Sequence, residues 1–258
     1  LLYYRNNLNS LMNILEAMKE FNVPNLVFSS SCTVYGQPDK LPVTEATPRK
    51  EAESPYGNTK TICEDIIRDT TKANPELKGI ALRYFNPIGA HPSTKIGELP
   101  LGVPGNLIPF LTQTVAGMRA ELSVFGNDYN TPHGSCIRDY INVVDLAKAH
   151  VVAINRLIEE KQKSNYEFFN IGTGKETSII KLAEVINKIT GNLKKPVYME
   201  TREHEIKKRV ADTKKLNYLI NYKIKLPLEL GLNKTDHIAG HNLLFHEDTT
   251  QKQCYHLS

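Results

Sequence analysis

A tyrosine and a lysine stand four positions apart in the stretch SPYGNTK, residues 54–60. On a helix, Tyr56 and Lys60 would share one face. A free tyrosine has a pKa of about 10, so acting as a base near neutrality requires lowering that pKa by roughly 3 units, or about 4 kcal/mol. A nearby lysine ammonium favours the phenolate and lowers its pKa. The spacing therefore indicates a candidate catalytic base with a partner cation.

Three consecutive serines precede this pair, at the end of the apolar run NLVFSSS, residues 25–31. The run is typical of a buried strand whose carboxyl end opens into a loop. Ligands gather at the carboxyl ends of strands in open parallel sheets, where Ser31 would lie. A hydroxyl there could share or relay the proton of Tyr56. The alternative is chance, since any chain of this length can contain a Tyr-x-x-x-Lys.

The elements that must position these residues alternate between strands and helices. Ser54 can cap a helix and Pro55 suits its first position, so a helix is predicted from there to about Lys72. Further strands are predicted at 79–85, 122–126 and 166–172, further helices at 8–18, 106–117, 143–160 and 178–190, and loops at 36–54 and 86–105. This alternation predicts an α/β fold with parallel βαβ units.

Composition limits the function classes. The chain has 258 residues, of which 40% are hydrophobic and 23% charged, as in a globular protein. A net charge of +4 is too mild to indicate a nucleic-acid partner. No apolar run suits a membrane and the four cysteines form no CxxC pair, so a reduced, cytoplasmic protein is expected. His237 and His241 lack a further ligand at a familiar spacing, so no metal site is expected.

Five stretches occur in one order along the chain: FSSSCTVYG, SPYGNTK, LRYFNPIGAHPS, CIRDYINVVDLAKAH and FNIGTG. Together they resemble the UDP-glucose 4-epimerases, a family of extended short-chain dehydrogenases/reductases, from Leu1 to about Asp212. The resemblance implies part of a Rossmann-like parallel sheet with helices, a smaller α/β substrate domain and bound NAD. It also implies that UDP-glucose and UDP-galactose, in galactose metabolism, interconvert by transient oxidation at sugar C4 and return of the hydride to the opposite face.

The resemblance also assigns roles residue by residue. Tyr56 corresponds to the catalytic base, Lys60 to its partner, and Ser31 to the serine that shares the proton. The cofactor-binding positions are Asn6, Ser31, Tyr56, Lys60 and Phe85. The positions around the nucleotide sugar are Asn86, Asn106, Leu107, Ser123, Phe125, Arg138 and Arg202. A guanidinium can grip a diphosphate in bidentate fashion, which suits the two arginines.

Nucleotide-sugar 4,6-dehydratases resemble this fold but carry acidic residues just after the strand-end hydroxyl, which they need to eliminate water. Here those positions are Cys32 and Thr33, and neither side chain is a carboxylate. This argues against dehydration. The open alternatives are a non-catalytic remnant and a 4-epimerase for another UDP-sugar, either a UDP-N-acetylhexosamine or a UDP-uronate.

Three departures from the family pattern set further expectations. No glycine-rich turn for a dinucleotide pyrophosphate occurs, so we expect a fragment that by itself neither holds NAD tightly nor epimerises. At residues 203–209 the family's EGD is altered, and Arg209 replaces a tyrosine. The segment 233–258 matches nothing in the family and is expected to be an atypical tail.

The expected domain division follows the resemblance. The rest of a Rossmann domain is expected at 1–87 and 142–172, and a nucleotide-sugar domain at 88–141 and 173–232. Family members often form homodimers through two helices per subunit, which here are the helix after Leu8 and the one that carries Tyr56. We therefore expect a homodimer, on analogy alone.

Overall fold

Strands and helices alternate along the chain in a computed structural model, which describes residues 1–93, 95–96, 107–115, 117–190, 196–201 and 206–219. The helices are α1 (Leu2–Glu20), α2 (Pro55–Ala73), α3 (Leu107–Val115), α4 (Val143–Ile158), α5 (Ile179–Thr190) and α6 (Lys214–Leu219). The strands are β1 (Asn25–Ser31), β2 (Lys78–Tyr84), β3 (Asn86–Ile88), β4 (Leu122–Phe125), β5 (Ile137–Arg138), β6 (Tyr140–Asn142), β7 (Tyr166–Ile171), β8 (Thr177–Ser178), β9 (Pro196–Met199) and β10 (Lys208–Arg209). The predicted α/β class is confirmed.

The sheet that positions the candidate base has three parallel strands in the order β1, β2, β7. Their register aligns Ser31 with Tyr84, and Tyr84 with Ile171. The carboxyl ends of all three strands therefore meet at one edge, as the βαβ prediction requires. Ser31, the last residue of β1, lies at that edge.

Helix α2 begins where the sequence predicts. The Ser54 hydroxyl accepts a hydrogen bond from Gly57 N at 3.1 Å, and Pro55 occupies the first turn. This cap satisfies one of the amide groups that a helix start leaves without a partner. The helix packs with α1 through a buried apolar cluster: Leu11, Leu15, Met18, Cys63, Ile67 and Leu77.

The opposite face of the sheet is covered by α4. Successive side chains of a strand point to opposite faces, so Ile80 and Leu82 of β2 share one face. They form a buried cluster with Ala149 and Ala153 of α4 and Phe169 of β7. Burial on both faces explains why apolar residues follow one another in the middle of these strands, as in residues 80–82 of β2, rather than alternating with polar ones.

A second group of elements has its own core. Strand β4 pairs with β9 in parallel, and α3 and α5 pack against this part of the chain. Its buried residues form one cluster: Ile88, Ile108, Leu111, Leu122, Val124, Tyr140, Leu182, Ala183 and Ile186. Within the described ranges, no helix is both long and apolar enough to cross a membrane.

The loop prediction for residues 86–105 is wrong at its start, where residues 86–88 form β3 and pair with β6 in parallel. A strand of three residues carries too little sequence pattern to be recognised, and its existence depends on a partner more than fifty positions away. The first helix also begins earlier than the apolar period suggested, at Leu2 rather than near Leu8.

Candidate active site

The first turn of α2 places Tyr56 over the carboxyl end of β1. Its half-buried phenol is hydrogen-bonded to the Ser31 hydroxyl, and the Tyr3 ring of α1 packs edge-on at 5.9 Å between centroids. The structure thus brings together a tyrosine and a serine that are 25 positions apart in the sequence. The pair lies at the edge of the sheet where ligands of parallel folds bind.

Lys60 lies one turn further along α2, on the same face. Its ammonium donates to the Ser29 carbonyl oxygen at 2.9 Å and lies 5.5 Å from the centroid of the Tyr56 ring and 5.1 Å from that of Phe28. Burial lowers the pKa of Lys60. In the part of the chain that the structure describes, no carboxylate pairs with this ammonium, which has three N–H groups to donate.

The pKa of Tyr56 moves in the direction opposite to the one that the Tyr/Lys spacing suggested. Burial raises it to about 12, the nearby Tyr84 phenol adds to this, and the hydrogen bond from Ser31 opposes it. The Lys60 ammonium, 5.5 Å from the centroid of the Tyr56 ring, does not outweigh the effect of burial. In this arrangement Tyr56 is a neutral phenol at neutral pH, and a phenolate requires closer positive charge.

A second hydrogen-bonded group lies beside the pair and was not foreseen. The Ser29 hydroxyl lies 3.0 Å from His150 Nε2, and His150 Nδ1 lies 2.9 Å from the Leu146 carbonyl oxygen. Since a carbonyl only accepts, Nδ1 donates to Leu146, and in a neutral imidazole Nε2 then accepts from Ser29. Ser29 also hydrogen-bonds Tyr84. No spacing rule connects Ser29 with a histidine 121 positions later.

A tight turn follows the strand end. Thr33 N donates to the Ser31 hydroxyl at 3.2 Å, and the chain leaves the turn at Gly36 with φ of 57°. A Cβ on Gly36 would lie 2.4 Å from the Glu51 carbonyl oxygen, so only glycine fits there. The Thr33 hydroxyl is buried with no hydrogen-bond partner among the described residues. Such an orphaned group two residues from Ser31 suits a polar ligand atom.

Backbone contacts position the side of the site that was predicted to hold the nucleotide sugar. Asn86 N donates to the Asp139 carbonyl oxygen at 3.0 Å, which places the first residue of β3 against the chain beside Arg138. Arg138 Nη1 donates to the Ile137 carbonyl oxygen at 3.0 Å. Phe85, between β2 and β3, is buried, and its N–H donates to the Ile171 carbonyl oxygen.

The buried Asp139 carboxylate gathers three separate segments. It accepts hydrogen bonds from Thr173 N at 2.8 Å, Thr173 Oγ1 at 2.5 Å, Gly174 N at 2.9 Å and Ala211 N at 3.1 Å. Burial raises the pKa of Asp139 above its usual value, and these hydrogen bonds offset only part of that rise. The carboxylate fixes the backbone next to Arg138 by joining it to the turn after β7 and to the strand region after β10.

Arg209, which replaces a tyrosine of the family pattern, directs its side chain towards the turn that follows Ser31. On β10 it is paired in parallel register with Arg138 of β5. Its side chain is buried, with Nη2 donating to the Gly36 carbonyl oxygen at 3.1 Å and Nη1 to Cys32 Sγ at 3.6 Å. Residues 203–205, the rest of that departure, lie outside the described residues.

The remaining predicted positions are less closely grouped. Asn6 is exposed on α1, and Leu107 begins α3 against the second core. Ser123 and Phe125 lie on β4, in the sheet formed with β9. Asn106 and Arg202 lie outside the described residues, as do His237 and His241. Among the residues described, no group of three or more histidine, cysteine, aspartate or glutamate side chains is arranged to hold a metal ion.

Comparisons with known proteins extend these findings. The model of the NAD dependent epimerase/dehydratase family matches residues 1–172. UDP-glucose 4-epimerase 1 of Oryza sativa subsp. japonica is 44% identical over 229 residues, which are 89% of this chain and 64% of the rice protein. UDP-glucose 4-epimerase of Homo sapiens is 47% identical over 189 residues, 73% of this chain and 53% of the human protein. The chain therefore spans less than two thirds of the length of these curated relatives.

Two solved structures show the same fold. The UDP-glucose 4-epimerase of Bifidobacterium longum, in complex with NAD+ and UDP, superimposes with a TM-score of 0.87 at 38% identity, covering 93% of this chain and 70% of that one. The UDP-glucose 4-epimerase of Stenotrophomonas maltophila, with bound NAD and formylated UDP-arabinopyranose, superimposes with a TM-score of 0.89 at 35% identity. The match covers 94% of this chain and 71% of that one. The predicted Rossmann-like architecture is confirmed by these neighbours.

Proposed function

The chain belongs to the NAD dependent epimerase/dehydratase family, and from that premise we propose that it carries the acid–base site of a UDP-glucose 4-epimerase. This isomerase interconverts UDP-glucose and UDP-galactose. The observation that carries the proposal is the Ser31–Tyr56 hydrogen bond beside Lys60, at the carboxyl edge of a parallel sheet. Relatives that are 44% and 47% identical and are UDP-glucose 4-epimerases support it.

The residues around Tyr56 fit NAD. Among the described residues, only the Ser29 carbonyl oxygen accepts a hydrogen bond from the Lys60 ammonium, so its other N–H groups can bind ribose hydroxyls. The residues proposed to hold the cofactor are Asn6, Ser31, Tyr56, Lys60 and Phe85. When bound, NAD supplies a hydride acceptor for sugar C4 and returns the hydride. Its positive charge also favours the phenolate of a tyrosine whose pKa burial raises to about 12.

In this proposal Tyr56 removes the proton from the sugar 4-hydroxyl, and Ser31, hydrogen-bonded to it, shares that proton. With NAD bound, oxidation at C4 would give a 4-keto sugar, and return of the same hydride to the opposite face of that sugar would invert C4. Arg138 grips the diphosphate together with Arg202, as bidentate guanidinium groups do. The other residues proposed to line the nucleotide-sugar site are Asn86, Asn106, Leu107, Ser123 and Phe125.

The turn after Ser31 favours epimerisation over dehydration. Elimination of water across C5 and C6 requires an acid and a base beside the strand end. Cys32 is buried beside the Arg209 guanidinium, and Thr33 offers only a hydroxyl. Neither side chain can replace a carboxylate, so oxidation and reduction at C4 remain the chemistry that these residues serve.

Domain division, assembly and location complete the proposal. We place the remaining Rossmann domain at 1–87 and 142–172 and the nucleotide-sugar domain at 88–141 and 173–232, because two separate apolar cores support this division.

We propose a cytoplasmic homodimer, with no nucleic-acid or membrane partner, that pairs through α1 and α2. Helix α1 packs on α2 and exposes apolar side chains at Tyr3, Met12 and Ile14, which supports such an interface.

Two measurements test the function. The protein that carries this chain, supplied with NAD and UDP-galactose, is expected to form UDP-glucose. Calorimetric titration of the 258-residue chain with UDP separately tests the nucleotide site, and is expected to show binding that Arg138→Gln weakens. Absence of both epimerisation and UDP binding would overturn the proposal. Equilibrium dialysis checks the further prediction that the chain by itself holds NAD only weakly.

A further inference from the structure

Three positions of α2, spaced one turn apart, each contact one of three consecutive residues at the end of β1. Residues at i, i+4 and i+8 of a helix lie on one side of it. The contacts join Ser31 to Tyr56, the Ser29 carbonyl oxygen to Lys60 and the Ser30 hydroxyl to Glu64. The proposed function uses the first two pairs. The third pair, Ser30 with Glu64, has no role in it.

The Glu64 carboxylate is 1% exposed and is tied to two strands. Oε1 accepts from Ser30 Oγ at 2.5 Å and from Arg83 Nε at 2.8 Å, and Oε2 accepts from Arg83 Nη2 at 2.5 Å. Ser30 directly precedes Ser31 on β1, and Arg83 directly precedes Tyr84 on β2. A buried carboxylate is tolerated because the bidentate guanidinium balances its charge.

Arg83 extends this connection across the sheet. Its Nη1 donates to the Tyr35 hydroxyl at 2.9 Å, and Tyr35 donates to Asn170 Oδ1 on β7 at 2.7 Å. Burial by itself would lower the pKa of Arg83, but its hydrogen bonds and the charge of Glu64 raise it above the ordinary value. Its guanidinium also stacks over the Phe168 ring, 4.0 Å from the centroid. The Arg83 guanidinium is therefore fixed by Glu64, by the Tyr35 hydroxyl and by the Phe168 ring.

We propose that Glu64 is a positioning residue, which fixes the rotation and height of α2 over the strand ends and thereby the Ser31–Tyr56 hydrogen bond. Apolar packing through Cys63 and Ile67 is non-directional and does not set these two quantities. Directional hydrogen bonds do, and Glu64 accepts two kinds of them, from Ser30 and Arg83, beside the one that Lys60 donates to the Ser29 carbonyl oxygen. A rotation of about 10° displaces an atom at the outer helix radius of about 5–6 Å by about 1 Å. A misplacement of about 1 Å can cost about 100-fold in rate.

The consequence for catalysis rests on the proposed function, but the positioning itself can be measured without turnover. The full chain is labelled with [ζ-¹³C]tyrosine, and the Tyr56 signal is assigned with Tyr56→Phe. Ser31→Ala gives the signal position when the hydrogen bond is absent. Ser30→Ala removes one bond to Glu64 and leaves the Arg83–Glu64 pair in place. Glu64→Gln removes the charge while keeping the shape.

We expect Ser30→Ala and Glu64→Gln to move the Tyr56 signal at least half of the way to its position in Ser31→Ala. Ser30→Thr, which restores a hydroxyl, should return it towards the original position. The matched control is Thr71→Val, which removes a buried hydroxyl from the same helix whose hydrogen bond, to the Arg68 carbonyl oxygen at 2.9 Å, stays within α2. It should leave the signal in place.

A merely structural role for Glu64 would look different. The melting temperature would fall, while the Tyr56 signal of the folded molecules stayed where it is, and that result would overturn the proposal. If Glu64→Gln does not fold, Ser30→Ala decides. In the active protein, kcat for UDP-galactose should fall by about 10- to 100-fold in Ser30→Ala, with KM changed less than about twofold. No turnover in any variant, including the unaltered protein, would refute the epimerase proposal and leave the signal test intact.

Discussion

The two sides of the candidate site are fixed in different ways. On the acid–base side, side chains of one helix bond to consecutive residues of one strand: Tyr56 to Ser31, Lys60 to the Ser29 carbonyl oxygen and Glu64 to Ser30. On the nucleotide-sugar side, the buried Asp139 carboxylate collects backbone amides from two other segments. The first set of hydrogen bonds aligns α2 with β1. The second set fixes the backbone of loop segments beside Arg138.

The charges of the two buried carboxylates are balanced differently too. Glu64 faces the Arg83 guanidinium in bidentate contact. Asp139 accepts from amide groups and one hydroxyl, so partial charges replace a cation. We infer that the acid–base side is specified by a charge pair and the other side by backbone geometry. Substitutions on the two sides should therefore affect different quantities, namely turnover on the first side, and binding and stability on the second.

The largest effect is expected at the base itself. Tyr56→Phe keeps the ring and removes the hydroxyl that takes the proton, so epimerisation should fall by about 10²- to 10⁴-fold, with little change in KM. A coupled assay for UDP-glucose formation from UDP-galactose measures it. Tyr218→Phe, at a tyrosine that is 83% exposed on α6, is the matched control and should retain full turnover. Turnover close to normal in Tyr56→Phe would remove this residue from its role.

The next effect is expected on the nucleotide-sugar side and in binding. Arg138→Gln loses charged hydrogen bonds worth about 1.5–3 kcal/mol, so UDP should bind about 10- to 150-fold more weakly. Calorimetric titration measures the change. Arg68→Gln, on the exposed surface of α2, should bind UDP normally. A loss of kcat without weaker binding in Arg138→Gln would show that the two sides are not divided as we infer.

The buried carboxylate on the same side should be visible in stability. Asp139→Asn weakens acceptance from Thr173, Gly174 and Ala211, and should lower the free energy of unfolding by about 1.5–3 kcal/mol. Urea denaturation gives the value. Asp69→Asn removes an exposed ion pair with Arg68 and should change it by no more than about 0.5 kcal/mol. Equal losses in the two variants would contradict the role given to Asp139.

The smallest effect concerns pH and the network behind the base. Burial raises the pKa of Tyr35 to about 12 in the folded chain, against about 10 when unfolded. The stabilisation from its neutral phenol is fully present below pH 10 and is lost as the pH rises towards 12, by about 1.4 kcal/mol at pH 11. The unfolding free energy should therefore fall less steeply between pH 9 and 11 in Tyr35→Phe. An unchanged slope would show that Tyr35 is not held as a neutral phenol.

The acid–base side was largely predictable because local patterns define it. The apolar run that ends in serines predicted β1 with its observed bounds, 25–31, and Ser54 with Pro55 predicted the start of α2. The rule that ligands gather at strand ends then placed Ser31 near Tyr56. What the spacing could not show is the partner of Lys60. Its ammonium is bound to the Ser29 carbonyl oxygen, and burial has the largest influence on the pKa of Tyr56.

The rest of the site depends on distant contacts that no period reveals. Ser30 meets Glu64 and Ser29 meets His150 only after α2 and α4 pack on opposite faces of the sheet. Strands β5, β8 and β10 have two residues each, so they carry no alternation and exist through their pairing. The position of Arg209 against the turn after Ser31 follows from that pairing. The resemblance to the family showed that Arg209 replaces a tyrosine. The structure shows that the arginine side chain contacts Cys32 and the Gly36 carbonyl oxygen.

The most direct test of the C4 chemistry uses UDP-galactose that carries deuterium at C4. The protein that carries this chain is incubated with NAD and this substrate in ordinary water, and the product is analysed by NMR. We predict UDP-glucose that keeps its deuterium at C4, because the hydride that leaves the sugar returns to it, and no product with Tyr56→Phe. UDP-glucose with protium at C4, or unchanged UDP-galactose, would contradict transient oxidation at this carbon.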